Sequence, residues 1–270
     1  DLVTIYREAR DADAVYAGAR ATYVAGQEKL PQGLAGLLPA VNLSANTQYN
    51  DRELKFRNGD PSTTSSYNSN SLNVTATQPL FRMQNWITYE QAKTQVSQAE
   101  ASFLQANQEL IIRVAQAYFD VLLAENNVTL SASQKAAFSE QLAQAKRNFE
   151  VGTATITDSN DAQARYDLAV SQEIVAQNDL EIKKRALQQI IGRLPPDLAR
   201  LSPRFAPALP TPNNMDSWVT QASASSLQVR IAQATLDIAA QDISRNRSAH
   251  LPTLDAVASY TDFASGIGNL

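Results

Sequence analysis

The chain has 270 residues, 44% of them hydrophobic and 19% charged, with a formal net charge of -4, one histidine and no cysteine. Mild acidity argues against a nucleic-acid partner, whose phosphates require a basic surface. Without cysteine, and with His250 alone just before a strand, there is no zinc cluster and no histidine-based triad, and nine glycines read as turn residues form no phosphate loop, so neither an enzyme nor a cofactor is expected.

Absence of cysteine also suits an oxidising compartment. No apolar run approaches the roughly 18 residues that a spanning helix needs, so a membrane would have to be crossed by strands. Asp1 is followed by no signal-peptide pattern, and any export signal is expected to have been removed already.

Residues 1 to 30 read as helical, with Leu2, Ile5, Tyr6 and Ala9 on one face and an Ala-rich second segment over 12–29. Pro31-Gln-Gly33 and Gly36-Leu-Leu-Pro39 are expected to break the helix. From Pro39 the period changes to two. Val41, Leu43, Ala45, Thr47 and Tyr49 alternate with Asn42, Ser44, Asn46, Gln48 and Asn50, and Leu72, Val74 and Ala76 alternate with Ser71, Asn73, Thr75 and Thr77. Strands of about ten residues with one apolar and one polar face suit a transmembrane hairpin over 39–80, although a soluble hairpin on a core has the same pattern. Asp51 to Tyr67, with Asn58-Gly59-Asp60-Pro61, is expected to be a polar turn or loop. Gln78-Pro79-Leu80-Phe81 marks the change from strand to helix.

Arg82 to Glu150 contains neither proline nor glycine and is rich in Ala, Gln, Glu and Leu, which predicts one uninterrupted helix of roughly 100 Å. Val114, Tyr118, Val121, Glu125, Val128, Ala132, Lys135, Ser139 and Leu142 recur at steps of four and three, a coiled-coil seam, and Ile111, Ala115, Leu122, Thr129, Ala136 and Ala143 form a second, smaller row. Two adjacent seams suit a tube of helices. Read alone, the stretch also fits a long dimeric coiled coil. Gly152 sits where a left-handed cap is wanted, and Thr157 or Asp158 is placed to start a return helix over about 159–191, with Asp161 in its first turn. A helical hairpin over 81–193 with its tip at 151–158 follows. The return helix and the N-terminal helix together flank the long one, stacked end to end.

A proline-rich connector covers 194–214, and a helix is expected over 215–247. Here the chain repeats itself: Ala21-Thr22 matches Ala234-Thr235, Ala25-Gly-Gln-Glu28 matches Ala239-Ala-Gln-Asp242, and Leu38-Pro39 matches Leu251-Pro252, an offset of 213 or 214. Leu254, Ala256, Ala258 and Tyr260 begin a third strand, and the second copy stops at Asn269-Leu270. The fold class is therefore mainly α with a small β part: long antiparallel coiled-coil helices joined to β-barrel strands, with an internal repeat whose second copy is truncated.

Leu37-Leu38-Pro39 before the first strand, Gln78-Pro-Leu-Phe81 after the second, Ala117-Tyr-Phe-Asp-Val-Leu122 in the rod, Phe149-x-Val-Gly152-x-x-x-Ile-Thr-Asp158 at the turn, Ala162-x-Ala-x-Tyr-Asp167 beyond it and His250-Leu-Pro-Thr-Leu254 resemble the TolC-type outer-membrane efflux proteins over the whole chain. The resemblance implies a homotrimer with a barrel in the outer membrane of a Gram-negative bacterium and a helical tube across the periplasm. It implies an exit duct for drug efflux or type I protein secretion, working with a periplasmic adaptor and an inner-membrane pump or ABC transporter. It places adaptor docking at Val151, Gly152, Thr153 and Ala154 and a gate latch at Gln141, Thr157 and Asp158. Trp86 and Tyr89, just after the second strand, are candidates for a membrane-interface aromatic belt, with packing against neighbouring helices an equal reading. The resemblance also implies two full repeats, of which this chain shows one and a fraction, so the sequence is expected to be a piece of a longer protein and to associate abnormally through its bare faces. The competing reading is a soluble periplasmic coiled-coil scaffold whose hairpins are recognition tips.

Overall fold

A computed structural model describes residues 1–54, 62–202, 205 and 211–266. The Asn58-Gly59-Asp60-Pro61 turn, part of the proline-rich connector and Asn269-Leu270 lie outside the described residues. The elements in order are α1 Leu2–Ala12, α2 Ala14–Gln27, α3 Lys29–Ala35, β1 Ala40–Leu54, β2 Thr63–Phe81, α4 Met83–Glu150, α5 Ile156–Ile191, α6 Met215–Ser225, α7 Leu227–Ser248 and β3 Leu254–Ser265. They fall into two compact units, one of residues 1–23 and 100–229, the other of 24–99 and 230–270.

α4 is the expected unbroken helix, 68 residues, or about 100 Å at 1.5 Å per residue. In the first unit its buried residues Leu110, Val114, Tyr118 and Val121 pack with Ile5 and Ala9 of α1, Leu187 and Ile191 of α5, and Leu198. The seam from Val114 to Val121 is therefore the core. Lys135, a blemish in that seam, pairs with Glu173 of α5. Most of the second row, including Ile111, Thr129, Ala136 and Ala143, faces solvent. α1 meets the end of α5: Arg193 is bidentate on Glu8, and Tyr6 donates to Asn107 of α4.

The second unit holds an antiparallel sheet in the order β1-β2-β3. Cross-strand partners share a face, so the register builds apolar rows Val41/Ala76/Ala258 and Leu43/Val74/Tyr260, with Ala45/Leu72/Asp262 above them. Among the described residues no layer covers these rows: Val41, Leu43 and Tyr260 are 67%, 70% and 68% exposed. The opposite face carries Asn42, Ser44, Thr75, Asn73, Ser259 and Thr261, with Val257 and Phe263 as apolar intruders.

Several expectations are corrected. β1 and β2 run to 15 and 19 residues rather than about ten, because Asp51–Leu54 pairs with Thr63–Ser66 where a loop was expected. Polar side chains do not stop a backbone ladder when both faces are wet, and Thr47–Asn70, Asn50–Ser69 and Ser66–Asp51 hydrogen bonds reinforce this one. Pro31 does not break the helix; it sits in the first turn of α3, where its missing N–H has no helical partner to lose. The helix over 215–247 is broken at Ser226, whose backbone is extended. Ser226 repeats Asp13, the extended residue between α1 and α2. Leu2 and Met215, Ala14 and Leu227, and Ala35 and Ser248 are each 213 positions apart, so the duplication has one register and the 214-residue match of 25–28 to 239–242 is not structural. Nor do all glycines sit in turns: Gly18, Gly26 and Gly33 are helical.

Candidate functional site

Two surfaces have the character of sites, the tip joining α4 to α5 and the bare sheet. At the tip, Gly152 has φ +77, the left-handed conformation expected of a helix cap, and a Cβ there would touch nothing within 4 Å. Backbone geometry alone selects glycine. Thr153 and Ala154 donate their N–H groups to the Asn148 carbonyl at 2.8 and 3.2 Å, and Thr153 Oγ1 donates to it at 3.0 Å. The capping residue of α5 is Thr155, so the helix starts at Ile156, three residues earlier than expected. Thr155 Oγ1 accepts from the Asp158 N–H at 3.3 Å, while Asp158 Oδ2 accepts from Thr155 Oγ1 at 2.7 Å and from the Thr155 N–H at 2.9 Å. This is a capping box, in which the Asp158 carboxylate satisfies the Thr155 N–H and the Thr155 hydroxyl satisfies the Asp158 N–H. The tip is tied from both ends, with Val151, Gly152 and Thr153 outward and Ala154 half-buried.

The Thr155 hydroxyl and then the Thr155 N–H hold the Asp158 carboxyl below the ordinary carboxylate range. Its contribution to the tip is fully present above the unfolded-state value and is lost as pH falls through the lower folded-state value. Protection of the Asp158 amide, its exchange rate relative to that of an unstructured chain at the same pH, is expected to hold at neutral pH and to fall at acid pH. Thr155→Val is expected to flatten that acid dependence, and an unchanged profile in the variant would show that the box does not set it.

The other residues singled out in the sequence are placed but not joined. Gln141 and Thr157 are exposed, and among the described residues neither bonds Asp158. Trp86 is 53% exposed on the first turn of α4, and Tyr89 is half-buried with Lys93 Nζ 4.4 Å from its ring centroid. His250 lies in the turn after α7. Among the described residues no group of three or more His, Cys, Asp or Glu side chains could hold a metal ion.

Sequence reasoning missed three features. Ile112, Phe119, Leu123 and Leu130 on α4, with Leu168, Val175 and Ile182 on α5, form exposed rows at near-heptad spacing, 40–70% accessible. The seven-residue steps were readable but are shifted from the seam followed above. Gly26 and Gly33 bring α2 and α3 onto α4: a Cβ at each would lie 2.6 Å from the Cβ of Ala99 and 2.8 Å from that of Ala92. Arg82 forks onto Asp255, with Nε to Oδ1 at 2.8 Å and Nη2 to Oδ2 at 2.5 Å, tying the start of α4 to the start of β3.

A family model described as outer membrane efflux protein matches residues 5–193. Outer membrane protein TolC of Vibrio cholerae is 32% identical over 260 residues, which cover 96% of this chain and 58% of that protein. Proteases secretion protein PrtF of Dickeya chrysanthemi is 31% identical over 241 residues, 87% of this chain and 52% of that protein. The Campylobacter jejuni CmeC outer membrane channel superposes with a TM-score of 0.80 at 14% identity, covering all of this chain and 61% of that one, a likeness of fold. The chain thus spans between half and three-fifths of the proteins it matches.

Proposed function

This chain belongs to the outer membrane efflux protein family, and from that premise we propose that the whole protein is an outer-membrane exit duct for drug efflux or type I protein secretion. The observation that carries the proposal is the direct junction of a 68-residue helix, through Arg82 alone, to a sheet bare on its apolar side and hydroxyl- and amide-rich on the other. A face of Val, Leu, Ala and Tyr left uncovered in water is an association site; facing hydrocarbon, it is at rest. In this reading the hairpin over 39–80 and the strand of the second copy lie in the outer membrane of a Gram-negative bacterium. The helical hairpin over 81–193 hangs in the periplasm, and residues 1–38 and 215–249 are corresponding helices of the two repeats. Trp86 and Tyr89 follow the sheet at the depth of an interfacial aromatic belt.

The partners follow from the same reading. The exposed rows through Phe119 and Val175 are faces for other helices, which suits a homotrimer. The tip at Val151, Gly152, Thr153 and Ala154, braced by two caps and directed outward, suits docking of a periplasmic adaptor that links the duct to an inner-membrane pump or ABC transporter. Gln141, Thr157 and Asp158 are assigned to a latch that holds the duct closed. Asp158 can serve both cap and latch, because a carboxylate that caps a helix retains acceptor capacity for an arginine. The family is one of ducts, and no residue is given a catalytic role.

Membrane fractionation followed by planar-bilayer recording of the full-length protein tests this. The protein is expected in the outer-membrane fraction and as a conducting pore, and a wholly soluble protein would overturn the duct. Asp158→Ala is expected to raise conductance. Thr155→Ala removes the capping hydroxyl but keeps the carboxylate, so an equal rise in both variants assigns the effect to the tip fold, and no rise in Asp158→Ala removes the latch.

A further inference from the structure

The apolar face of the sheet changes character at one row. Along β3 its residues are Leu254, Ala256, Ala258 and Tyr260, and the next is Asp262, an exposed carboxylate that among the described residues makes no hydrogen bond or ion pair. From Leu254 to Asp262 the strand rises roughly 27 Å at about 3.4 Å per residue, or roughly 20 Å once tilted as barrel strands are. The apolar band of a transmembrane barrel is about 25 Å tall, so on the duct reading the hydrocarbon ends within one row of Asp262.

β1 and β2 continue past this row, paired as far as Leu54 and Thr63. On the same face the pairs beyond it are Thr47/Asn70, Tyr49/Asn68 and Asp51/Ser66, and Tyr49 is 72% exposed. Arg52, the one base among the described residues of this ribbon, belongs to the opposite face. An open cavity of about 370 Å³ lies across the boundary, with Ala45, Leu72 and Ala264 as its apolar lining and Thr47, Asn70 and Asp262 as its polar lining. Thr47 Oγ1 donates to Asn70 Oδ1 at 2.7 Å, which leaves the Asn70 N–H groups without a partner among the described residues.

We infer that this cavity and the Tyr49 face above it bind the sugar part of a glycolipid in the outer leaflet. An occupant at this depth has to offer carbon to Ala45 and Leu72 and hydroxyl groups to Asn70 and Asp262, and a sugar joined to acyl chains offers both. Its hydroxyls can donate to the Asp262 carboxylate and accept from the Asn70 amide, while the Tyr49 ring gives a flat surface for the C–H side of a sugar ring. A bare phosphate is the wrong ligand, because Asp262 and Asp51 repel it and no base of the ribbon faces it. The inference rests on the duct reading and names a ligand for the surface that this reading puts at the outer edge of the membrane.

Thermal unfolding of the full-length protein in two kinds of vesicle tests it, one of lipid A carrying its complete core sugars and one of lipid A alone. The protein is expected to melt at a higher temperature in the first, because a ligand bound only by the folded state stabilises that state. Tyr49→Ala and Asp262→Ala are each expected to lose about half or more of the difference between the two membranes. Asn50→Ala, on the opposite face, is expected to keep it. Each variant is compared with itself in the two membranes, so a change in its intrinsic stability cancels. Equal melting of the unsubstituted protein in both membranes means that acyl chains and phosphates account for all the binding, and overturns the inference. A difference that survives both Tyr49→Ala and Asp262→Ala puts the sugars elsewhere and overturns it too. Either result leaves the duct, whereas a protein that inserts into neither membrane overturns the duct reading and this site with it.

Discussion

Leu110→Ala is expected to destabilise the chain by about 2–5 kcal/mol, the range for emptying a fully buried leucine site. Leu110 has no exposed surface and stands in the one cluster to which α1, α4, α5 and the segment carrying Leu198 all contribute. A cavity there is walled by residues from several elements, which cannot all relax at once, so the upper half of the range applies. Leu123→Ala is the matched control on the same helix. Leu123 is 60% exposed, and truncating an exposed side chain is expected to change stability by about 0.5 kcal/mol or less. Urea unfolding followed by helical circular dichroism would read both as midpoint shifts. In the assembled full-length protein the contrast narrows, because Leu123 lies in the row assigned to contacts between chains. Equal midpoints for the two variants in the isolated chain would mean that α1 and α5 do not close over α4 at Leu110.

The rod was legible because its signal is subtractive: 68 residues without a helix breaker leave no other economical conformation. The seam was legible where burial is apolar, from Val114 to Val121. It blurred at Lys135, because a charge in a seam looks like an error until Glu173 of α5 is placed opposite it. The apolar rows of the sheet were legible from alternation, but strand length was not: Asn, Ser, Thr and Asp read as loop, while the ladder continues through them wherever both faces are wet. At the tip, a helix start near Asp158 was legible, whereas the choice of Thr155 as cap depends on which hydroxyl reaches forward to the N–H three residues on. The burial of Gln91, 3% exposed, left no trace, since a glutamine in a helix of glutamines gives no sign of it.

Glycine was the residue most misread, and it supplies the sharpest test. The same substitution, Gly→Ala, is expected to have opposite signs at two positions. At Gly18 nothing lies within 4 Å of the added Cβ, so alanine brings its helix propensity, about 0.8–1 kcal/mol, without a cost. At Gly33 the added Cβ meets the Ala92 Cβ at 2.8 Å, with the Tyr89 Cα at 3.3 Å and the Thr88 carbonyl oxygen at 3.4 Å behind it. Two of those three atoms are backbone of α4 and cannot rotate away. Overpacking costs about 1–3 kcal/mol, which exceeds the propensity gain over most of its range. Gly33→Val adds two further methyl groups and gains less propensity, so its loss is expected at or above the top of that range. Ala92→Gly removes the atom in the shortest contact, and the double variant Gly33→Ala/Ala92→Gly is expected to recover much of what Gly33→Ala loses, even though glycine in α4 itself costs about 1 kcal/mol. Thermal unfolding of the four chains reads the cycle directly. If Gly33→Ala stabilises as Gly18→Ala does, or if Ala92→Gly fails to rescue it, then α3 does not lie against α4 with glycine as the contact.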